Sequence, residues 1–314
     1  MKYPKVCIII LNWNGKELLK NCLSSLFKLT DYPNYKVIVV DNGSTDGSVE
    51  FVKKNFPKAD VLALDKNYGF PKGNNEGIRY ALKRYNPKYV VLLNNDTIII
   101  QKNWLKEMVK VAESDKKIGI IGCKLIYPDG RIQWAGRKKE SNIFYLMFQT
   151  ISASLNPGIG KKIKESSFIG EVNTASGACM MIKKELIKRI GLLDEDLSPF
   201  FQEDVEYSFR AQRSGYKVYY VGTTSVVHLQ SYSFKKRKME DEKLYFALRN
   251  SMIVSKKYFG YWRTIILGLP ILILTAFLER RDKTLGFSLW NLKPRPKLFS
   301  KFLLVLNIIR KIVR

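Results

Sequence analysis

Val91-Leu92-Leu93-Asn94-Asn95-Asp96 is an apolar run that ends abruptly in three polar residues. A strand covered by helices on both faces reads as such a run, because neither side needs polar residues. In an open α/β sheet, ligands gather at the carboxyl ends of these strands. Asp96 therefore falls where a carboxylate can meet a divalent cation and a diphosphate. A polar strand end that merely begins a loop gives the same pattern, so the surrounding sequence has to decide.

Around this stretch the chain alternates between two periodicities. Strands are expected at Val6–Leu11, Tyr35–Val40, Asp60–Leu64, Tyr89–Leu93 and Ile118–Ile121. Helices are expected between them at Lys16–Phe27, Thr45–Phe56, Lys72–Tyr85 and Asn103–Glu113. Such alternation implies an α/β fold with a doubly wound, mainly parallel sheet. Pro4, Pro33, Pro57 and Pro87 all fall in connections, where a missing N–H does no harm. From about Gly130 the pattern changes. Arg137–Ser167 reads as a long excursion, Thr174–Ile182 as a core strand and Glu203–Ser214 as a helix. Lys217–Val221 and Ser225–His228 read as two short closing strands.

The 314 residues are 46% hydrophobic, enough for a full core, but the formal charge of +26 is unusual. That excess implies an anionic partner: nucleic acid, acidic lipid or a phosphorylated substrate. The four cysteines show no C-x-x-C pair, so neither a disulfide framework nor a zinc site is expected, and a reducing compartment fits. The first strand begins at Val6, so no secretory signal peptide is expected. Residues 235–314 hold 19 Lys/Arg against 5 Asp/Glu. Within them Thr264–Leu278 is an uncharged run of 15 residues, short of the roughly 20 that a spanning helix needs. Leu298–Arg314 is a second apolar stretch edged with Lys301, Arg310, Lys311 and Arg314. Apolar faces rimmed with cations describe segments lying in an anionic membrane surface. A buried core helix followed by a solvated basic one is the plainer account.

Further segments carry chemistry. Asp41-Asn42-Gly43-Ser44-Thr45-Asp46-Gly47-Ser48 follows a strand. An acid there can accept hydrogen bonds from a base or ribose, and Ser44 or Thr45 can cap a helix whose N-terminus suits a phosphate. An Asx-turn with a helix cap accounts for the same residues. Asn67–Gly77 places glycines at 69, 73 and 77 between a strand and a helix. They admit a close ligand, but the spacing is not G-x-G-x-x-G, and a period of four equally marks a helix packed tightly on a sheet. A hard cation such as Mg²⁺ or Mn²⁺ takes few ligands from protein and the rest from water and phosphate, which suits Asn94-Asn95-Asp96. In Phe200-Phe201-Gln202-Glu203-Asp204-Val205-Glu206 three carboxylates open a helix. The helix dipole alone favours acids there; the functional alternative is a general base. His228, the one histidine, sits on a short apolar strand and suits either a satisfied core imidazole or a metal ligand.

Taken in order, Ile8–Asn12, Asp41–Gly47, Asn67–Gly77, Asn94–Asp96, Gly177–Met181 and Phe200–Arg210 with His228 resemble the family 2 inverting glycosyltransferases. The likeness is to the rhamnosyltransferase-like branch in particular and covers roughly residues 5–232. It implies a GT-A fold, with a nucleotide-binding half over about 1–125 and an acceptor half over about 126–233. Residues 234–314 then form a helical, membrane-associating appendage at the cytoplasmic face of the membrane, peripheral or monotopic. By position, Asp41 holds the base of a nucleoside-diphosphate sugar, dTDP-rhamnose or a UDP-sugar. Asn12, Asn67, Gly73, Asn74 and Asn95 lie along the nucleotide or diphosphate. Asp96 and His228 ligate Mg²⁺ or Mn²⁺. Asp204 is the base, with Glu203 orienting or assisting it, and Gly177 and Ala178 shape the pocket for a glycan or lipid-linked acceptor. Asn94 departs from the family's D-x-D motif, and an amide oxygen is the weaker ligand for a hard metal.

Two other classes compete. A nucleic-acid-binding protein could use the +26 charge on phosphates, but no nucleic-acid motif is present and the charge peaks beside apolar segments. A nucleotidyltransferase could share the sheet, but the N-terminus lacks an Arg/Lys–Gly loop for a triphosphate. The expected partners are therefore a nucleotide sugar, an acceptor glycan or lipid and an anionic membrane surface, without nucleic acid.

Overall fold

The computed structural model describes residues 3–134, 167–229 and 240–260, with two short strands at 278–280 and 292–294. The chain divides into two compact units, Met1–Asn142 with Asn156–Glu240, and Ile143–Leu155 with Asp241–Arg314. The first unit opens with β1 (Val6–Asn12), α1 (Lys16–Leu29), β2 (Tyr35–Asp41), α2 (Ser48–Asn55), β3 (Ala59–Ala63), α3 (Phe70–Tyr85) and β4 (Tyr89–Asn94). It continues with β5 (Thr97–Ile99), α4 (Trp104–Ser114), β6 (Ile118–Ile126), β7 (Ile132–Trp134), β8 (Ile169–Glu171) and β9 (Cys179–Lys183). It closes with α5 (Lys184–Ile190), a 3-10 turn at Glu195–Leu197, α6 (Glu203–Arg213) and β10 (Lys217–His228).

Among the described residues of this unit the strands form one sheet in the order β3-β2-β1-β4-β9-β6-β10-β5, with β7 on β6 and β8 on β10. Val6 to Ile10 are all buried because successive residues face opposite sides and both sides are covered. Ile8 and Ile10 join Leu19, Leu23 and Leu26 of α1 and Trp104 and Met108 of α4 in one core. Cys7 and Ile9 join Ile78 and Ala81 of α3 and Tyr207 of α6 in the other. The parallel register pairs Asn12 with Asp41 and Leu11 with Asn94, so β1, β2 and β4 end level along one edge. That edge is where the polar segments emerge.

The mainly parallel sheet expected from the sequence is in fact mixed. β1, β2, β3 and β4 run parallel, as do β6 and β10, but β9 is antiparallel to both β4 and β6. The short strands β5, β7 and β8 also pair antiparallel. Three-residue strands are too brief to show a periodicity. Lys217–His228 is one strand, not two; its pairing with β6 is irregular between Val221 and Ser225. The expected strand at Thr174 begins only at Cys179, and the expected helix at Thr45 only at Ser48. In both cases turn residues shape the site before the regular element starts.

Among the described residues of the second unit are α7 (Glu240–Phe259) and an antiparallel pair, β11 (Leu278–Arg280) with β12 (Leu292–Pro294). Leu278, the last residue of the uncharged run, is thus in a strand. Residues 264–277, Leu298–Arg314 and most of the Arg137–Ser167 excursion lie outside the described residues. Among those described, no helix is long and apolar enough to cross a membrane.

The four-residue glycine spacing in α3 has a packing cause. A Cβ on Gly77 would lie 2.6 Å from Ile9 Cγ2 and 2.7 Å from Val40 Cγ2, and one on Gly73 would lie 2.6 Å from Leu11 Cδ1. Both partners of Gly77 are stiff β-branched residues of the buried sheet. Alanine at 77 gains helix propensity of about 1 kcal/mol, yet overpacking of a tight core costs about 1–3 kcal/mol. Gly77→Ala is therefore expected to lower stability, seen as a reduced denaturant midpoint with unchanged slope; an unchanged or raised midpoint would show that the helix can move away.

Candidate active site

At the end of β1, Asn12 is fully buried and works as a three-way joint. Its Nδ2 donates to Asp41 Oδ2 at 3.2 Å and to Ser44 Oγ at 3.3 Å, and its Oδ1 accepts from Asn95 Nδ2 at 2.8 Å. Asp41 Oδ1 accepts from Ser44 N, three residues on, at 2.8 Å; the Asx-turn weighed for this segment falls instead at Asp46, whose Oδ1 accepts from Ser48 N at 3.1 Å. Asn14, left-handed at φ 49°, donates its N–H to Ser44 Oγ and accepts from Thr45 N at 2.7 Å. Asp46 accepts from the backbone of Lys16 and Ser48 and from the Ser48 hydroxyl. Burial would raise its carboxyl, but these donors hold it below the usual carboxylate range.

The next loop is laced to this one. Asn42 Nδ2 donates to Asn67 Oδ1 at 2.8 Å and to Gly69 O at 3.2 Å, while its Oδ1 accepts from Tyr68 N. Gly69 adopts φ +82°, and a Cβ there would lie 2.9 Å from Pro199 Cα, so this position requires glycine. Asn74 donates to Phe70 O within its own helix. Asn75 uses both ends of its amide on Leu193 and its Nδ2 also on Glu195. Of the residues expected along the nucleotide, Asn67 shapes this loop, Gly73 lets α3 approach Leu11 of the sheet, and Asn74 bonds within α3.

Asp96 and His228 come together as expected: Asp96 Oδ1 lies 3.2 Å from His228 Nε2. Backbone pairing enforces the approach, with His228 opposite Thr97 in the β10–β5 ladder and Leu229 N donating to Asp96 O at 2.9 Å. Asn94 Nδ2 stands 3.4 Å from the same Nε2, and His228 Nδ1 lies 2.6 Å from Gln133 Oε1 on β7. Among the described residues no group of three or more His, Cys, Asp or Glu is gathered as for a closed metal site. One carboxylate and one imidazole still fit Mn²⁺ or Mg²⁺ when phosphate oxygens and water supply the remaining ligands.

The acidic helix α6 follows two consecutive left-handed residues, Phe201 at φ 78° and Gln202 at φ 72°. Such backbone costs about 1–3 kcal/mol per residue and persists where surrounding structure enforces it. Asp204 Oδ2 accepts from Gly177 N at 2.8 Å, and Oδ1 accepts from Val205 N at 2.8 Å. The next residue, Ala178, accepts from Asn94 N through its carbonyl at 3.0 Å. Gly177-Ala178 thereby ties the acidic helix to the strand that leads to Asp96. Glu203 is buried, and among the described residues its Oε2 has no hydrogen-bond partner. Burial, then the neighbouring Asp204 charge, pushes Glu203 up to about 8. Burial also raises Asp204, against the pull of the Gly177 and Val205 N–H groups. Two adjacent carboxyls, one buried and one half-buried, do not ionise with equal ease. Asp204, which accepts from the Gly177 and Val205 N–H groups and is only half-buried, is the better placed of the two to carry the charge. A positioned carboxylate is the base that proton abstraction from a hydroxyl requires.

The sequence reading missed Asn14, Asn42, Asn75 and Gln133. The first three belong to asparagine-rich strand and helix ends, which signal backbone satisfaction; Gln133 carried no signal.

The chain matches the family model described as Glycosyl transferase family 2 over residues 7–191, more than half its length. It is 26% identical over 234 residues to the O-antigen biosynthesis protein RfbC of Myxococcus xanthus, covering 73% of this chain but only 18% of that protein. It is 26% identical over 255 residues to the low-salt glycan biosynthesis hexosyltransferase Agl10 of Haloferax volcanii, covering 81% of this chain and 76% of the other. Among solved structures it resembles the mannosyltransferase PcManGT of Pyrobaculum calidifontis in complex with GDP-Man and Mn²⁺. The TM-score is 0.55 at 15% identity, over 100% of this chain and 82% of that one, a likeness of fold.

The buried acid has a thermodynamic signature. Because Glu203 is raised from 4.5 to about 8, its neutral form favours folding below the lower value. That contribution declines as pH rises through this interval, where the native state binds the extra proton. Glu203→Gln should remove up to one proton's worth of slope, about 1.4 kcal/mol per pH unit, from the stability profile in that range. Parallel profiles for the two proteins would show that Glu203 ionises as freely in the native state as in the unfolded chain.

Proposed function

The chain belongs to glycosyl transferase family 2, and on that premise we propose that it transfers a sugar, with inversion, from a nucleoside-diphosphate sugar to a hydroxyl of a glycan or lipid-linked acceptor. It is a transferase; the sugar, acceptor and metal dependence are the proposal. One observation carries it. The Asp96–His228 couple and the half-buried Asp204, beside buried Glu203, are joined through Gly177-Ala178, so a cation site and a base serve one reacting centre. The names of the two relatives support synthesis of surface glycans, and the Mn²⁺ in the mannosyltransferase structure supports a divalent ion. The resemblance to the rhamnosyltransferase-like branch favours dTDP-rhamnose or a UDP-sugar as donor.

In this mechanism Asp204 takes the proton of the acceptor hydroxyl as its oxygen attacks the anomeric carbon from the face opposite the diphosphate. The bond to the diphosphate breaks with its electron pair, leaving negative charge on the departing oxygen. Asp96 and His228 would hold a divalent ion, which would supply charge neutralisation there. Asp41 orients the nucleoside, Asn12 holds Asp41 and Asn95 in place, and Asp204 is the carboxylate offered to the acceptor. A single displacement inverts the centre and needs one base. Asp204→Asn should lower turnover by about 10²–10⁴-fold. Thermal stabilisation by a nucleotide sugar with Mn²⁺, tested over a donor panel, should survive that change. Turnover like the wild type would remove Asp204 as the base, and stabilisation by no nucleotide sugar would remove the donor class.

We also propose that residues 234–314 hold the enzyme on the cytoplasmic face of a membrane. Their 19 Lys/Arg against 5 Asp/Glu support this, since each cation near an anionic surface contributes about 1 kcal/mol. The full chain should float with vesicles containing anionic lipid, less so with neutral ones, and detach as salt rises. Equal recovery with both vesicle types would defeat the electrostatic anchor.

A further inference from the structure

His228 is the single histidine of the chain, and three side chains surround its ring nitrogens. Nδ1 lies 2.6 Å from Gln133 Oε1, while Nε2 lies 3.2 Å from Asp96 Oδ1 and 3.4 Å from Asn94 Nδ2. We propose that Gln133 is a positioning residue: it holds the proton of His228 on Nδ1 and so turns an unprotonated Nε2 toward Asp96. This rests on the reading of Asp96 and His228 as the metal-holding pair and adds the residue that prepares one of them.

An amide oxygen can only accept a hydrogen bond, so an Nδ1 in contact with it must carry the hydrogen. In the neutral ring this leaves the lone pair on Nε2. The carboxylate facing it is also only an acceptor. Two acceptors held 3.2 Å apart by backbone pairing define a position for a cation. Metal-ligating histidines characteristically donate their other N–H to an oxygen, which fixes the tautomer and the tilt of the ring.

The fold explains why β7 exists. Leu125 of β6 pairs with Trp134 on one edge and Val226 on the other, and Ile126 pairs with Ile132 and Val227. Gln133 and His228 therefore flank β6 from opposite sides, and their side chains meet across it. The register irregularity between Leu125 and Ile126 falls beside Gln133. This three-residue strand delivers the amide from the side of the ring away from Asp96. The opposite amide orientation would place a hydrogen-bond donor on Nδ1, force the ring proton onto Nε2 and fill the cation position. The two arrangements are distinguishable because no second imidazole overlaps the signal.

The test uses the full chain labelled with ¹⁵N-histidine, in mildly alkaline buffer, with and without Mg²⁺. Wild-type protein should show the proton on Nδ1 in multiple-bond proton–nitrogen spectra. Gln133→Leu should lose that preference, whereas Gln133→Glu, which keeps an acceptor oxygen at the same reach, should retain it. Mn²⁺ titration followed by electron paramagnetic resonance should show affinity about 10-fold weaker in the leucine variant and not weakened in the glutamate variant. A wild-type ring protonated on Nε2 alone, or a leucine variant with an unchanged tautomer, overturns the proposal. Absence of Mn²⁺ binding by the wild type would instead sink the metal reading, and the tautomer would still decide the role of Gln133.

Discussion

Asn12 lies wholly buried where β1 ends level with β2 and β4, and its one amide serves partners from the ends of the other two. Three parallel strands that finish level along one edge release their chains into loops crowded with polar groups. Each such group, if buried without a partner, costs about 1–3 kcal/mol. Asn12 supplies two donors toward Asp41 and Ser44 and one acceptor toward Asn95, so these loops hold a fixed separation. Asp96 is the residue after Asn95, and its position follows from that joint. The rest of the edge extends the same device: Asn42 laces the second loop to the third, and Asn75 holds the segment that precedes the acidic helix.

Electrostatic roles at the far side of the edge are set by unequal surroundings of similar groups. Glu203 and Asp204 are adjacent carboxyls in one helical turn, the first buried and the second half-buried. Asp204 accepts from two backbone N–H groups, and the Glu203 Oε2 finds no partner among the described residues. Proton sharing between them is thereby biased before any substrate arrives. The two left-handed residues ahead of the helix show that this placement is held against a local backbone preference.

Much of this was legible in the sequence where many residues repeat one message. Long apolar strands and amphipathic helices in the first 125 residues were readable because each element offers a full period of pattern. The approach of Asp96 to His228 and the acid pair on α6 followed from motif order. The mixed character of the sheet was hidden because β5, β7 and β8 each span three residues, and because an apolar strand such as β9 reads the same whichever way it runs. The glycines of α3 were ambiguous in sequence, since ligand approach and close packing require the same absent Cβ; the contacts with Leu11, Ile9 and Val40 identify packing. Gln133 could not be found at all. Its contact depends on a strand pairing across β6, and no local periodicity encodes that.

The β10–β5 ladder also bears on how the enzyme is made. Asp96 and His228 are 132 positions apart, yet backbone hydrogen bonds set their separation. Contacts of such long sequence range form only after the loop-closure entropy between them has been overcome. A chain emerging from the ribosome can assemble β1 to β4 and their helices well before residue 228 is available. The loops that follow β1 to β4 therefore precede the Asp96–His228 contact in time. That contact waits on β10, whose antiparallel pairing with β5 brings His228 opposite Thr97. The two halves of the site are thus separated in synthesis as well as in sequence.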